Sequence, residues 1–430
     1  MITLLWLVVV AFVFSQSLYF VVNVLAAGLL YSRPGQVVTA DAAVDPRPIH
    51  VLMPVYNERY DVLVDTLAGL YESDYPLDLV TVYLIYERDD AMLAGYLDRL
   101  KERAMDEGWN VAYVPVNRTA LAHHVGVGWT PLASSMVPRT KAAALTYAFI
   151  TLSFAGDDVI TVFDSDTRVP ADLFRLAIAG LEEYDVVQAK QTVRNLDDGW
   201  LPRLEAMGIA AWSTLVYTHT SRGPYQLLGK GYFLTARSLN ELHEWDVDAV
   251  TEDLSLGLAA SVRGFSLGIV DRYVQDLCPA DGGDWIRQKR RWVRGPYDHL
   301  LSESLGWRAR LRFWTFTVAN QVVSLTNLVG VPVGIAVFVL SVAGYPFGFP
   351  WWFSLLVGFN LLCWAYYSAM SYLTAREAIV FDSAAQRRRY FLLVNPLTQL
   401  VYATVWAIPI LLAVFDLVRG RRRPFEVTPK

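Results

Sequence analysis

Cysteine is nearly absent from this 430-residue chain: Cys278 and Cys363 stand far apart, the second inside an apolar run. That spacing excludes a disulfide framework and a cysteine-based metal centre. Charge is sparse as well, at 18% of residues with a net of −5, which removes the electrostatic reason to expect nucleic acid as a partner. The first 31 residues carry no charged side chain at all. They lack the positive start and small-residue cleavage site of a secretory signal, so residues 1–31 read as a membrane anchor. What the chain has in abundance is apolar side chains, 54% of the total, with a mean hydropathy of +0.30. Membrane segments follow from that composition.

The hydropathy pattern divides the rest. Residues 32–284 return to the charge density of a soluble domain, and residues 285–312 are basic with interspersed tryptophans. Residues 313–418 form a membrane region with apolar runs at 313–342, 350–373 and 392–418, and residues 419–430 are a basic tail. The short uncharged linker at 345–350 suits the outer face, whereas Arg387, Arg388, Arg389 and the tail arginines Arg419, Arg421, Arg422 and Arg423 belong inside by the positive-inside rule. One anchor and three simple crossings would leave the soluble domain and the tail on opposite sides. Either residues 313–342, with Gly330 and Pro332, are bent or paired, or residues 392–418, with Pro396 and Pro409, are re-entrant.

Within the soluble domain, strand-like runs at 50–58, 79–85, 111–116, 159–163 and 185–190 alternate with helical patterns at 61–71, 91–107, 142–154 and 171–183. This order predicts an α/β domain with a doubly wound, mostly parallel sheet. Residues 117–138 read as a loop, with His123 and His124 on its surface. In such sheets ligands collect at the carboxyl ends of the strands. The 159–163 strand ends there in Asp164-Ser165-Asp166. Successive strand residues point to opposite sides, so both aspartates reach one ligand only if the segment turns. It is then either a solvated turn or a site for Mg²⁺ or Mn²⁺, the hard cations that accompany phosphates.

Four further segments carry chemistry. Lys141, following Arg139, opens a helix against the helix dipole, which makes sense opposite an anion. Gly229-Lys230-Gly231 brings backbone and a cation together, either lining a site or forming a plain turn. Thr251-Glu252-Asp253 opens the 254–263 helix, either with Thr251 as its N-cap and the acids in the first turn as the helix dipole favours, or with a carboxylate there as a general base. Residues 285–294 pack five cations and two tryptophans into a basic amphipathic helix, suited to anionic membrane lipid on one face and to a diphosphate on the other.

In order, Asp164-Ser165-Asp166, Thr251-Glu252-Asp253 and Gln288-Lys289-Arg290-Arg291-Trp292 resemble the Asp-x-Asp, Thr-Glu-Asp and Gln-x-x-Arg-Trp motifs of the membrane-embedded family-two glycosyltransferases, such as cellulose synthase and hyaluronan synthase. Phe425 to Lys430 is similar to the Phe-x-Val-Thr-x-Lys gating loop of cellulose synthase. The resemblance implies a GT-A fold binding a UDP-sugar. Asp166, with Asp164 beside it, would hold the metal on the diphosphate, and Asp164 the sugar or ribose. Asp253, paired with Glu252, would be the catalytic base. Lys141 joins the donor-binding residues, and Glu87 and Asp89 would face the uracil. Gln288, Arg291 and Trp292 would bind diphosphate and acceptor sugar, while Thr428 and Lys430 would close over the nucleotide. Leu228-Gly229-Lys230-Gly231 replaces the acceptor-floor motif of cellulose synthase, which leaves the acceptor open.

The resemblance thus implies an inverting enzyme with its catalytic domain on the cytosolic face of the plasma membrane. One expectation is processive extension of a β-linked polysaccharide and its passage through the membrane part. The other is addition of a single sugar to a lipid-linked acceptor. A transporter or a catalytically silent scaffold is the reading from outside enzymology, and spans almost without ionisable residues argue against transport.

Overall fold

The computed structural model describes residues 2–21, 37–38, 44–217, 226–299 and 305–420. The gating-loop-like segment, with Thr428 and Lys430, lies outside them.

Among the described residues eight strands form one sheet: β1 (Val37–Val38), β2 (Ile49–Val55), β3 (Val80–Tyr86), β4 (Val111–Pro115), β5 (Val159–Val162), β6 (Val186–Val193), β7 (Tyr232–Thr235) and β8 (Leu267–Asp276), in the order 1-8-6-7-5-2-3-4. Only β7 runs antiparallel to its neighbours, β5 and β6. The expected mostly parallel sheet is present. β5 is buried along its whole length, as its uninterrupted apolar run requires.

Helices cover both faces. On one side, α2 (Tyr60–Tyr71), α3 (Leu97–Asp106) and α7 (Leu173–Leu181) bury Leu63, Leu67, Leu100 and Phe174 against the sheet. On the other, α6 (Lys141–Thr151), α9 (Ala236–Glu241) and α10 (Glu252–Val262) bury Leu145, Leu239 and Leu256.

Several elements depart from expectation, and β1, β7, β8 and α9 fall where no strand or helix was read. The 91–107 helix is broken, because the turn Ala91–Ala94 ends at Gly95 and the Tyr96 hydroxyl donates to the Glu58 carbonyl at 2.7 Å. Residues 117–138 are not a plain loop, since they hold α4 (Arg118–His124) and α5 (Pro131–Met136). Asn117 makes the first of these by accepting from the Thr119 and Ala120 amides. α8 (Trp200–Trp212) follows β6 and was not anticipated.

In the membrane part, α1 (Ile2–Tyr19) packs on α12 (Trp307–Val342) and α13 (Trp351–Ala378) through Val9, Val13, Val337 and Phe353. Gly330 permits this crossing: a Cβ there would fall on the Phe12 ring. α12 is one continuous helix despite Pro332, which removes the expectation that residues 313–342 are paired. Among the described residues, three segments are long and apolar enough to cross a bilayer, namely Gln321–Val342, Trp351–Ala378 and Pro396–Val418. The last is divided at Trp406 into α15 (Pro396–Val405) and α16 (Ala407–Val418). Before it come α14 (Ala384–Leu393) and, between the soluble and membrane parts, α11 (Gly282–His299).

Candidate active site

The first cluster forms where β5 ends. The Thr167 amide donates to the Asp164 carbonyl at 3.1 Å, closing the turn that the sequence required for both aspartates to face one side. Carboxylate oxygens of Asp164, Asp166 and Asp276, the last at the end of β8, lie within 4.8 Å of one another. Asp166, 1% exposed, is oriented by the Leu277 amide at 3.0 Å, and Asp276 by the Thr167 hydroxyl at 2.9 Å. Three convergent hard oxygen donors fit a divalent cation.

Two lysines balance these acids. Lys141 Nζ lies 2.6 Å from Asp164 and donates to the Gly229 carbonyl at 2.5 Å. Burial alone would lower its pKa, but Asp164 and Glu252 outweigh that and hold it above the ordinary value. Lys230 bridges Asp276 and Asp164. Burial opposes its charge too, and these carboxylates raise its pKa nonetheless. Both ammonium groups therefore stay cationic at neutral pH, where an anionic substrate would meet them.

Across from them, α10 presents Glu252 and Asp253 in its first turn. Thr251 precedes the helix without the expected side-chain cap; the Leu254 amide instead donates to Asp253 Oδ1 at 2.9 Å. Desolvation, then the neighbouring Glu252 charge, pushes the Asp253 carboxyl up to about 7, while the Leu254 amide, Lys141 and Arg291 pull the other way. Its side chain is half-buried by area yet sits deep in the cavity, so loss of hydration dominates.

Gly295 of α11 fixes where this turn lies. A Cβ at that position would come within 2.9 Å of Thr251 Cβ and closer still to its hydroxyl and methyl. Gly295→Ala should therefore displace the Thr251–Asp253 turn, lowering stability by about 1–3 kcal/mol and depressing whatever reaction these acids serve. Thermal unfolding in detergent and a rate assay on the same preparation check both effects.

From α11 come Gln288, Arg291 and Trp292. With Glu87, Lys141, Asp164, Asp166, Glu252 and Asp253 they line a single cavity of about 1620 Å³. Thus every expected site residue among the described ones faces it except Asp89, which is exposed and paired with Arg139 at 2.7 Å. Glu87 lines the cavity while clamped by Arg118. Sequence reasoning missed Asp276, Glu205 and Lys289, and gave Lys230 no definite role. Asp276 ends a strand whose middle carries Asp271 and Arg272, so no apolar run announced it. The cavity continues into the membrane helices, where the Gln16 amide donates to Asn327 at 2.9 Å and the Ser17 hydroxyl to Asn360 at 2.9 Å.

The sequence and its sheet have known counterparts. The sequence pattern of "Glycosyl transferase family group 2" matches residues 159–417. A "Beta-monoglucosyldiacylglycerol synthase" of Synechocystis is 20% identical over 350 residues, covering 79% of this chain and 66% of that protein. An "N-acetylglucosaminyltransferase" of Rhizobium leguminosarum bv. viciae is 25% identical, covering 74% of this chain and 71% of that protein. A "Glucomannan 4-beta-mannosyltransferase 1" of Oryza sativa is 22% identical, covering 66% and 54%. The chain thus spans between about half and two thirds of the length of the first and third of these relatives. A mannosyltransferase from Pyrobaculum calidifontis, solved with GDP-Man and Mn2+, superposes with a TM-score of 0.50 at 16% identity, covering 93% of this chain and 99% of that one. That likeness shows the GT-A type fold. The family match covers well over half of the chain, and the protein belongs to glycosyl transferase family group 2.

Proposed function

We propose that the protein is an inverting hexosyltransferase that moves a sugar from a UDP-sugar to an acceptor hydroxyl with β-linkage, extending a polysaccharide and passing it into its own membrane part. The observation that carries this reading is the single cavity, which joins the acids and lysines of the sheet edge to polar side chains between the membrane helices.

In this mechanism Asp253 accepts the proton of the attacking acceptor hydroxyl, for which a carboxyl near neutrality is matched. Lys141, Lys230 and Arg291 place positive charge where the leaving diphosphate gathers negative charge. Asp166 with Asp164, joined by Asp276, would hold a divalent ion, whose chemistry is to neutralise that diphosphate. Trp292 offers an aromatic face to the acceptor sugar, Gln288 and Arg291 its polar partners, and Glu87 the side of the base. Thr428 and Lys430 are assigned to closing over the nucleotide. A single in-line displacement needs no enzyme nucleophile.

We assign the active site to the cytosolic face of the plasma membrane, and the packing of the last segments supports its lying on the same side as the arginines. Gln386 of α14 donates to Asp197 at 2.8 Å and the Tyr390 hydroxyl to the Arg203 carbonyl at 3.0 Å, so the exposed Arg387, Arg388 and Arg389 lie at the level of the soluble domain. Trp406 packs on Trp285, Ile410 and Ala413 on Val293, and Asp416 pairs with Arg290. These contacts along α11 support the reading that residues 392–418 are re-entrant, which would keep the soluble domain and the tail on one side as the arginines demand. Anionic lipid is the natural partner of those arginines.

Incubating nanodisc-embedded protein with labelled UDP- and GDP-sugars and sizing the products tests the reading. A polymer ladder from a UDP-sugar is expected. A single glycolipid would shift the reading to one addition on a lipid acceptor, and no transfer from any donor would overturn it.

A further inference from the structure

We infer that Lys289, held by a buried ion pair with Glu205, is a positioning residue that sets Trp292 and Gln288 at the acceptor end of the cavity; this rests on the glycosyl-transfer reading above. Lys289 is 1% exposed and Glu205 0%. A lysine so deep must place its three N–H donors or lose its hydration uncompensated. Its Nζ lies 2.5 Å from Glu205 Oε1, 2.8 Å from Gln288 Oε1 and 3.5 Å from the centre of the Trp292 ring. Of the α11 side chains around it, which include the Trp285 ring at 6.0 Å, the two nearest are those assigned to substrate on either side of Arg291.

The carboxylate is fixed in turn by a second side chain of α11 and by one of α15. Trp285 Nε1 donates to Glu205 Oε2 at 2.9 Å, and the Tyr402 hydroxyl of α15 donates to the same oxygen. Tyr402 comes so near α8 that a Cβ on Gly208 would lie 2.9 Å from its ring. Helices α8, α11 and α15 thus meet at one carboxylate. Packing alone does not call for such a pair, since apolar residues of similar volume fill buried sites as well or better. What a cation adds here is a fixed orientation of the Trp292 face, because the attraction acts along the normal of the ring.

The test uses full-length protein in nanodiscs, octyl β-glucoside as the acceptor probe, and 5-fluorotryptophan labelling with the Trp292 resonance identified by its loss in W292F. Lys289→Met should raise the KM for octyl β-glucoside about tenfold, the scale of one lost aromatic contact, with the donor KM moving less than twofold. It should also shift the Trp292 resonance, and Lys289→Arg should recover most of the acceptor KM. Because Lys289→Met strands a buried carboxylate, the double variant E205Q/K289M is included: it should regain thermal stability while keeping the raised acceptor KM and the displaced resonance. An unmoved Trp292 resonance in K289M, or an acceptor KM that recovers together with stability in the double variant, would overturn the inference. If the resonance moves as expected but no sugar nucleotide supports transfer, the positioning stands and the glycosyl-transfer reading falls.

Discussion

Asp253→Asn should lower the transfer rate by about 10²–10⁴-fold, the range that a positioned general base contributes, while donor affinity stays within a few-fold of the wild type. The asparagine keeps an acceptor for the Leu254 amide, so α10 should hold its place. The wild-type rate should carry an acid limb near pH 7, because the carboxyl is pushed up to about 7 and only its ionised form accepts a proton. Below that pH the rate should fall about tenfold per unit, and D253N should lose the limb. Glu252→Gln removes a negative neighbour that favours the protonated form, so the limb should move to lower pH. Stopped assays of nucleotide release across pH, with acceptor saturating, check both.

Asp166→Asn should be comparably severe for a different reason. The residue is buried, and an asparagine carbonyl can still accept from the Leu277 amide, so folding should survive. What disappears is one charge of the three-carboxylate cluster, leaving Asp164 and Asp276, both of which already face Lys230. Loss of a metal-assisted leaving group removes about 4 kcal/mol of stabilisation, roughly a thousandfold in rate. Chelation of divalent ions should reproduce that loss in the wild type and add little in D166N, as rate measurements over a series of Mn²⁺ concentrations would show.

Five of the eight described strands and half of the site were legible because they obey local rules. A fully buried parallel strand must be apolar throughout, so 159–163 announced both itself and the acids at its end. The motif residues of α10 and α11 were legible as motifs, whereas their convergence on Asp164 and Asp166 is a property of the 1-8-6-7-5-2-3-4 strand order. Asp276 escaped because β8 is polar in its exposed middle and its register with β6 shifts between Ala189 and Lys190. Glu205 reads as a solvated helical acid until Lys289, Trp285 and Tyr402 close over it. Thr251 looked like a cap, yet contact with Gly295 turns it to packing. Tertiary contacts decided those cases.

The most direct test of the central claim is the ³¹P coupling of protein-bound Mn²⁺, measured by electron–nuclear double resonance with UDP present. Carboxylates remote in the chain that gather around one diphosphate predict a ³¹P coupling in the wild type, its retention in D253N and its loss in D166N. Bound Mn²⁺ without ³¹P coupling in the wild type, or a coupling that survives D166N unchanged, would contradict the account.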